Sequence, residues 1–388
     1  MPAAGSADPS GPVEVREAAT RRERRAFLRL PWRLYRGDPH WVPPLLFSLR
    51  RQLDPKRNPF FQHAEMRLYL AWRDGQPVGR IAATINRLHN ETHNDTMGFW
   101  GYFETVNDPA VARALLDRAA EDLRQHGMTE MIGPMSPSIN GEVGVLVEGF
   151  GEPPVIMMPY NPPWYDGLIR QAGLQKAKDL LALLSVIDDV AGEKENIQRL
   201  DRLCAVVRKR HPTLQVRTLD MRNYEADVLT IGQLSNAVRH SNWGFVPMTD
   251  AEVRAMARDM KPIVDPEIVL IAEVDGKPIG CMVNLPDVNV ILHKLNGRLF
   301  PFGWLRLLWG RRSITTLRGF DSAVLEEYRR LGATPLLYLE TIRHGQRRGY
   351  NRAELSWVAE DNLASIQTST GVLRPRLYKR YRVYSRSL

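Results

Sequence analysis

The chain has 388 residues, 44% hydrophobic and 25% charged, with 53 Lys plus Arg against 44 Asp plus Glu, a net charge of +9. That length suits two domains, and the composition is that of an ordinary globular protein with enough apolar residues for two cores. Only Cys204 and Cys281 are available as thiols, which excludes a disulfide framework or a cysteine-based zinc site. No run reaches the ~18 apolar residues of a membrane span, and no basic-then-apolar leader opens the chain, so a reducing, cytoplasmic address is expected.

The stretch from Met1 to about Pro12 is rich in Ala, Gly, Ser and Pro, which predicts a disordered start. Residues 68–85, LYLAWRDGQPVGRIAATI, read as a β-hairpin. An aliphatic run meets an Asp-Gly turn at Asp74-Gly75, and a second run containing Gly follows. Patterning then predicts a strand over Phe99 to Thr105, a helix from about Pro109 to His126 and a strand from Thr129 to Ile132. A Pro-rich loop, a helix from Trp164 to Ala172 and a strand from Lys178 to Val186 come next. After a helical segment near Glu193 to Lys209, residues 269–283, VLIAEVDGKPIGCMV, write the hairpin again around Asp275-Gly276. A strand from Ile314 to Leu325, a helix from Thr334 to Arg348 and a strand from Arg352 to Val358 are expected, then a short helix from Leu363 to Thr370 and a strand from Leu377 to Tyr384. Two copies of one mixed α/β unit, residues 13–190 and 213–388, joined by a helical linker over 191–212, account for almost the whole chain.

The basicity is local. Residues 294 to 318 hold Lys294, Arg298, Arg306, Arg311, Arg312 and Arg318 and no acid; residues 374 to 388 hold Arg374, Arg376, Lys379, Arg380, Arg382 and Arg386 and no acid. Removing those twelve turns the net charge from +9 to −3. The first stretch, within an insertion over 290–313, sets Phe300, Phe302, Trp304, Leu305, Leu307, Leu308 and Trp309 among its arginines. Two readings stand: a segment lying in anionic headgroups, or a buried helix with solvated arginine flanks. Nucleic acid fits less well, because neither a zinc-finger nor a strand-stacking aromatic pattern is present.

In the second copy the strand-to-helix turn reads VLEEYRRLGATPLLYLETIRHG. An Arg-x-x-Gly-x-small turn aims successive backbone N–H groups and a helix dipole at one spot, which suits a pyrophosphate. Arg329, Arg330, Leu331, Gly332, Ala333 and Thr334 are the candidates; the alternative is an ordinary helix start with arginines in solvent. The first copy has no such turn after GYFETVNDPAV.

The turn, the hairpin before it, and RRGYNRAELSWVAEDN with its following helix together resemble the acyl-CoA N-acyltransferase (GNAT) superfamily. From about Phe27 to Tyr384 the chain also resembles a branch of tandem GNAT-like bacterial proteins that includes ceramide synthases. YRGDPHWVPPLL, SINGEVGVLVEGF, MMPYNPPWY, NWGFVPMT and NGRLFPFGWLRLLWGRR carry that likeness. The resemblance implies an α/β fold (α+β mixed sheet) of two tandem GNAT-like domains. It implies an acyl-CoA or acyl-carrier-protein thioester as co-substrate at the turn, with Asn362 beside the pantetheine arm. It further implies acyl transfer to the amine of a long-chain amino alcohol, and the greasy basic stretch then suits a cytoplasmic protein peripheral to the inner face of the cytoplasmic membrane. Two departures stand out. Thr334 occupies a position usually Gly or Ala, and LASIQTSTG lacks the Tyr that many relatives use as general acid. A small-amine N-acetyltransferase and an inactive acyl-CoA-binding or partner-binding protein are the alternatives.

Amide formation needs a deprotonated amine, a polarised thioester carbonyl and both held together. Glu142, in a loop, is either a general base or an acid pinning a Gly-flanked turn. His89 is a second base or a histidine ending a strand, and Glu360, ending a strand that points at the cofactor in this fold, is a third candidate. HNETH has its Glu in the wrong place for His-Glu-x-x-His, and no metal is expected. Asn140, Tyr165, Asp287, Asn289, Phe302 and Trp304 are acceptor-site candidates, with Asp287 at the headgroup and the greasy stretch along the tails. Trp243, in HSNWGFVP, either walls that site or packs as a core aromatic turn.

Overall fold

The computed structural model describes residues 11–186, 191–299 and 303–388. The expected disordered start, up to residue 10, and Phe302 lie outside the described residues.

The first copy runs β1 (Glu14–Glu17), α1 (Arg21–Leu34), α2 (Leu46–Gln52), β2 (Ala64–Arg73), β3 (Gln76–Asn86), α3 (Arg87–His93), β4 (Met97–Thr105), α4 (Pro109–Gln125) and β5 (Glu130–Gly133). Short strands β6 (Met135–Ser136), β7 (Glu142–Val143) and β8 (Val145–Glu148) follow, then α5 (Tyr165–Gln171) and β9 (Gln175–Val186). The predicted hairpin is β2–β3, and Asp74 and Gly75 both take positive φ, 50° and 71°. That is what a two-residue turn matched to strand twist requires. His89 ends no strand: RLHNETH folds as α3, capped by the Asn86 side chain and closed by left-handed Asn94.

A long helix, α6 (Ala191–Arg210), leads into the second copy: β10 (Leu214–Thr218), α7 (Tyr224–Arg239), α8 (Asp250–Met260), β11 (Val269–Val274) and β12 (Lys277–Pro286). Then come α9 (Asn289–Leu295), α10 (Gly303–Gly310), β13 (Thr316–Val324), α11 (Ala333–Arg348), β14 (Arg352–Ala359), α12 (Leu363–Leu373) and β15 (Arg376–Ser387). The repeat therefore begins upstream of the hairpins. Each copy opens with a strand and two helices, and α3 and α9 both end on a left-handed Asn, Asn94 and Asn296.

The copies build one thirteen-stranded mixed sheet in the order β1-β2-β3-β4-β5-β15-β9-β14-β13-β12-β11-β10, with β8 also on β15. Each copy lends its last strand to the other. β15 pairs with β5 (Ser385↔Ile132), β9 pairs with β14 (Glu354↔Leu184), and the two lie against each other. The chain is divided at α6 in sequence but not in its hydrogen bonding, and Phe99, Leu146, Leu180, Val246, Ala359, Tyr381 and Val383 form one shared core.

This exchange carries most of the C-terminal basic stretch into the sheet. β15 lies mid-sheet, where Arg382 binds Asp179 through two nitrogens at 2.7 and 2.9 Å and Arg380 sits 3.1 Å from Glu148. Arg386 reaches Asp117 at 2.8 Å, and Lys379 is buried. The three arginines neutralise acids of the first copy.

Candidate active site

Both copies place a β-bulge at closely matching, adjacent points after the hairpin. Between β3 and β4 the register slips so that Arg80 faces Glu104 and Ala82 faces Gly101. Between β12 and β13, Val283 faces Asp321 and Asn284 faces Gly319. A bulge adds an unpaired residue and re-aims its side chain. In the second copy the extra residue is Phe320, with the Arg318 guanidinium 5.3 Å from its ring centre. In the first it falls at Tyr102, which holds φ at 48°. A bulky residue rarely adopts that region, and such strain persists only where surroundings enforce it.

Beyond each bulge the parallel strands part: β4–β5 pairing ends at Phe99↔Ile132, and β13–β14 pairing at Gly319↔Leu355. In the first copy the β6–β7 hairpin enters the gap. Tyr102 N donates to Ser136 Oγ at 2.9 Å, and a Cβ on Gly101 would lie 1.9 Å from Met135 O. The second copy has no such hairpin, since Glu360–Asn362 lead directly from β14 into α12.

The hairpin carries Glu142, opposite Ser136. The Glu142 side chain is exposed to solvent. Desolvation pushes its pKa above the usual carboxylate range, Glu104 adds to the rise, and Arg318 and Arg80 oppose it. Glu142 thus lies within electrostatic reach of both copies. Glu104 is also raised, chiefly by burial. It accepts the Tyr35 and Tyr165 hydroxyls on one oxygen, both at 2.8 Å, and lies 3.5 Å from Arg80 on the other. Arg80 is itself buried and donates to Phe27 O at 2.8 Å. The Tyr102 hydroxyl is buried, couples electrostatically to Glu142, and has no hydrogen-bond partner among the described residues. A buried hydroxyl without a partner costs stability.

The remaining candidates separate into groups. Tyr165 belongs to the Glu104 network and accepts Thr105 N at 2.9 Å. Asn140, beside Glu142, donates to Val246 O at 3.2 Å, so the hairpin is docked on the 243–246 turn of the second copy. Trp243 in that turn packs on the shared core, with the Lys178 ammonium 5.9 Å from its ring centre. His89 is apart. It lines a small cavity of about 10 Å³ with Thr84, Phe99 and Ile139. Burial pushes its pKa down to about 4, and Asp95 at 3.4 Å only partly offsets this, so the ring is neutral at pH 7.

Glu360 is engaged elsewhere, on Lys176 at 2.9 Å and on Asp179 N at 3.0 Å. Burial alone would raise its pKa, but these partners hold it below the usual range. Asp287 and Asn289 are buried and bind a strap of the first copy: Asp287 accepts Ile156 N at 2.9 Å, and Asn289 donates to Pro154 O at 2.8 Å. Arg318 and Lys379 donate to Ile156 O and Pro153 O, at 2.9 and 2.7 Å, across the same strap. Trp304 stands on the outer face of α10, 44% exposed.

The phosphate-turn residues sit at the start of α11. Residues Glu326–Leu331 coil into a 3-10 turn, Gly332 takes φ 86°, and no side chain caps the helix. Ala333 and Thr334 are its first two residues, and the third, Pro335, has no N–H to satisfy. Arg329 and Arg330 are exposed on the turn, and Leu331 and Thr334 are half-buried. Gly332 is required twice, by its left-handed backbone and because a Cβ would lie 2.6 Å from Val207 of α6. The uncapped amides and flanking arginines fit a diphosphate. Asn362 accepts Ser365 N at 3.2 Å and so caps α12.

Comparison with known proteins agrees with this architecture. Residues 236–368 match the acetyltransferase (GNAT) family. Over 97% of its length the chain is 38% identical to a protein named bacterial ceramide synthase from Caulobacter vibrioides, 98% of which is covered. The chain belongs to the tandem GNAT acyltransferases, in the branch that includes bacterial ceramide synthases. It is also 34% identical to Protein YghO of Escherichia coli K12, over 96% of this chain and 95% of that one. A tandem GNAT protein from the clavulanic acid biosynthesis pathway shares the fold with a TM-score of 0.57 at 13% identity, over 97% of this chain and 98% of that one. This tandem GNAT protein is accordingly an N-acyltransferase. Sequence reasoning did not single out Tyr102, Arg80 or Tyr35. Nothing in their spacing signals a register slip, and their convergence depends on pairing between distant strands.

Proposed function

We propose that this N-acyltransferase moves a fatty acyl group from an acyl thioester to the amine of a long-chain amino alcohol. The thioester supplies the acyl group, the amine nitrogen takes it, and a thiol leaves. The observation that carries the reading is Glu142, a carboxylate open to water, held above its ordinary pKa and set among Glu104, Tyr102 and Arg80. In this role Glu142 accepts the proton that the ammonium must lose; a raised carboxyl is a better base for that transfer near neutral pH. Glu104, fixed by Tyr35 and Tyr165, adds negative charge that favours a cationic acceptor. The unpartnered Tyr102 hydroxyl is a donor for the acceptor's own hydroxyl or the departing sulfur. The Ala333 and Thr334 amides with Arg329 and Arg330 hold the thioester's phosphates. Similarity over nearly the full length to the protein named bacterial ceramide synthase supports the substrate class. An acceptor of this kind partitions into bilayers, so the same reading has the enzyme working at a lipid surface.

The test is incubation of purified protein with sphinganine and either palmitoyl-CoA or a palmitoyl carrier protein, alongside acetyl-CoA with a polyamine panel, read by mass spectrometry. A long-chain amide in the first arms is the expected result, and the donor that forms it faster distinguishes CoA from carrier protein. Acetylated polyamine with no long-chain amide overturns the proposal.

A further inference from the structure

The insertion over 290–313 resolves into two helices of opposite character. On α9, Ile291 and Leu295 are buried, and Ile291 packs in a core with Leu285, Ile314 and Leu317. α10 has no buried residue. Trp304, Leu308 and Trp309 are 44, 53 and 74% exposed, and Val290 on α9 adds another exposed apolar side chain. A surface tryptophan three-quarters exposed gains nothing from folding, and single exposed apolar residues are ordinary where a cluster is not.

The patch extends onto the first copy. Leu46 N donates to Gly297 O at 3.2 Å, and Trp32 Nε1 donates to Asn296 Oδ1 at 2.9 Å. These bonds bring the start of α2 beside the insertion, where Phe47, the next residue, is 53% exposed.

Charge identifies what this face meets. Lys294, Arg298, Arg306 and Arg312 are all exposed around it. Between Asp287 and Asp321 the sequence holds no acid. Asp287 is buried on the strap, and Asp321 is taken by Arg239 at 2.6 Å. A second copy docking face to face would oppose four cations with four cations. An anionic bilayer answers both halves of the pattern, since tryptophans favour the interfacial layer and lysine and arginine favour acidic headgroups.

We propose that the exposed face of α10, with Val290, Phe47 and the four cations, docks the protein on the surface of an anionic lipid bilayer. The contact is peripheral: among the described residues no helix is long and apolar enough to cross a membrane. Docking stands independently of the acceptor assigned above, because it is measured without substrate.

The full-length protein is mixed with vesicles of phosphatidylcholine alone or with phosphatidylglycerol, and bound protein is read by co-sedimentation over a salt series. Binding to the mixed vesicles that weakens with salt is expected. Arg306→Glu with Arg312→Glu should weaken it at least about 25-fold, at roughly fivefold per charge near the surface. Leu308→Ser with Trp309→Ser should weaken it at all salt concentrations. Both double variants should melt as the wild type does, because the residues replaced are exposed. Equal binding to both vesicle types, no binding, or wild-type binding by both variants overturns the proposal. So does a dimer in solution that Leu308→Ser with Trp309→Ser dissociates without vesicle binding.

Discussion

The Tyr102 backbone amide donates to Ser136 Oγ at 2.9 Å, so the bulged residue of β4 is tied to the hairpin that carries Glu142. Strain at Tyr102 and the position of Glu142 are therefore mechanically linked. Ser136→Ala removes the tie without touching either side chain. It should lower kcat by about 10- to 100-fold, the penalty for a catalytic group displaced by about 1 Å, with little change in KM for the thioester. Steady-state kinetics read the split; a wild-type kcat would show that the hairpin needs no such anchor.

Tyr102→Phe separates a catalytic contribution from a structural one. Its hydroxyl is buried without a partner among the described residues, so its removal should leave the melting temperature unchanged or raise it, by up to about 1–3 kcal/mol in stability. Activity should nevertheless fall. Full activity in a stable variant would confine Tyr102 to packing.

The pH profile tests the carboxylate pair. Glu142 works as a base only when deprotonated, so kcat/KM should rise with pH through a midpoint above the ordinary carboxylate range. Glu104 raises Glu142, so Glu104→Gln should move that midpoint down. Glu142→Gln should abolish the limb and cost about 10²–10⁴ in rate. A limb that stays put in Glu104→Gln, or survives in Glu142→Gln, belongs to another group.

Gly332→Ala probes the turn before α11. A left-handed alanine costs about 1–2 kcal/mol, and its methyl would press on Val207. KM for acyl-CoA should rise by more than KM for the amine, as product-formation assays with each substrate varied would show. An unchanged acyl-CoA KM would argue that the phosphates bind elsewhere.

Asp287 makes the strap pH-sensitive. Burial first, against the Asn289 and Ile156 amides, pushes its pKa up to about 6. The folded state therefore binds this proton more tightly than the unfolded chain, whose aspartates titrate near ~3.9. The associated stability is complete below the unfolded value and is lost as pH rises through about 6. Asp287→Asn keeps an oxygen for Ile156 N and carries no charge, so its stability relative to wild type should improve between pH 4 and 7. Urea melts across that window check it; a constant difference would place the titration elsewhere.

Much of this was legible in local sequence. Asp74-Gly75 and Asp275-Gly276 specify their turns through residues that tolerate positive φ, so both hairpins could be located. Gly332 flagged the start of α11 for the same reason. Glu142 stood out by its chemistry among glycines. Burial was less accessible. Asp287 and Asn289 look like polar groups awaiting a ligand, but a strap more than 130 positions earlier uses them, as the bonds to Ile156 and Pro154 show. Glu360 likewise meets Lys176 only because β9 crosses into the other half of the sheet.

The sequence by itself determined the two-copy plan, the hairpin turns and the left-handed glycine turn before α11, because each rests on backbone preferences set by a few neighbouring residues. Only the tertiary structure decided which charges are free. Strand exchange threads β15 between β5 and β9, and three of its arginines, Arg380, Arg382 and Arg386, are spent on Asp179, Glu148 and Asp117. The cations around α10 have no such neighbours and stay in solvent. Composition counts both sets alike; desolvation and pairing across the sheet distinguish them.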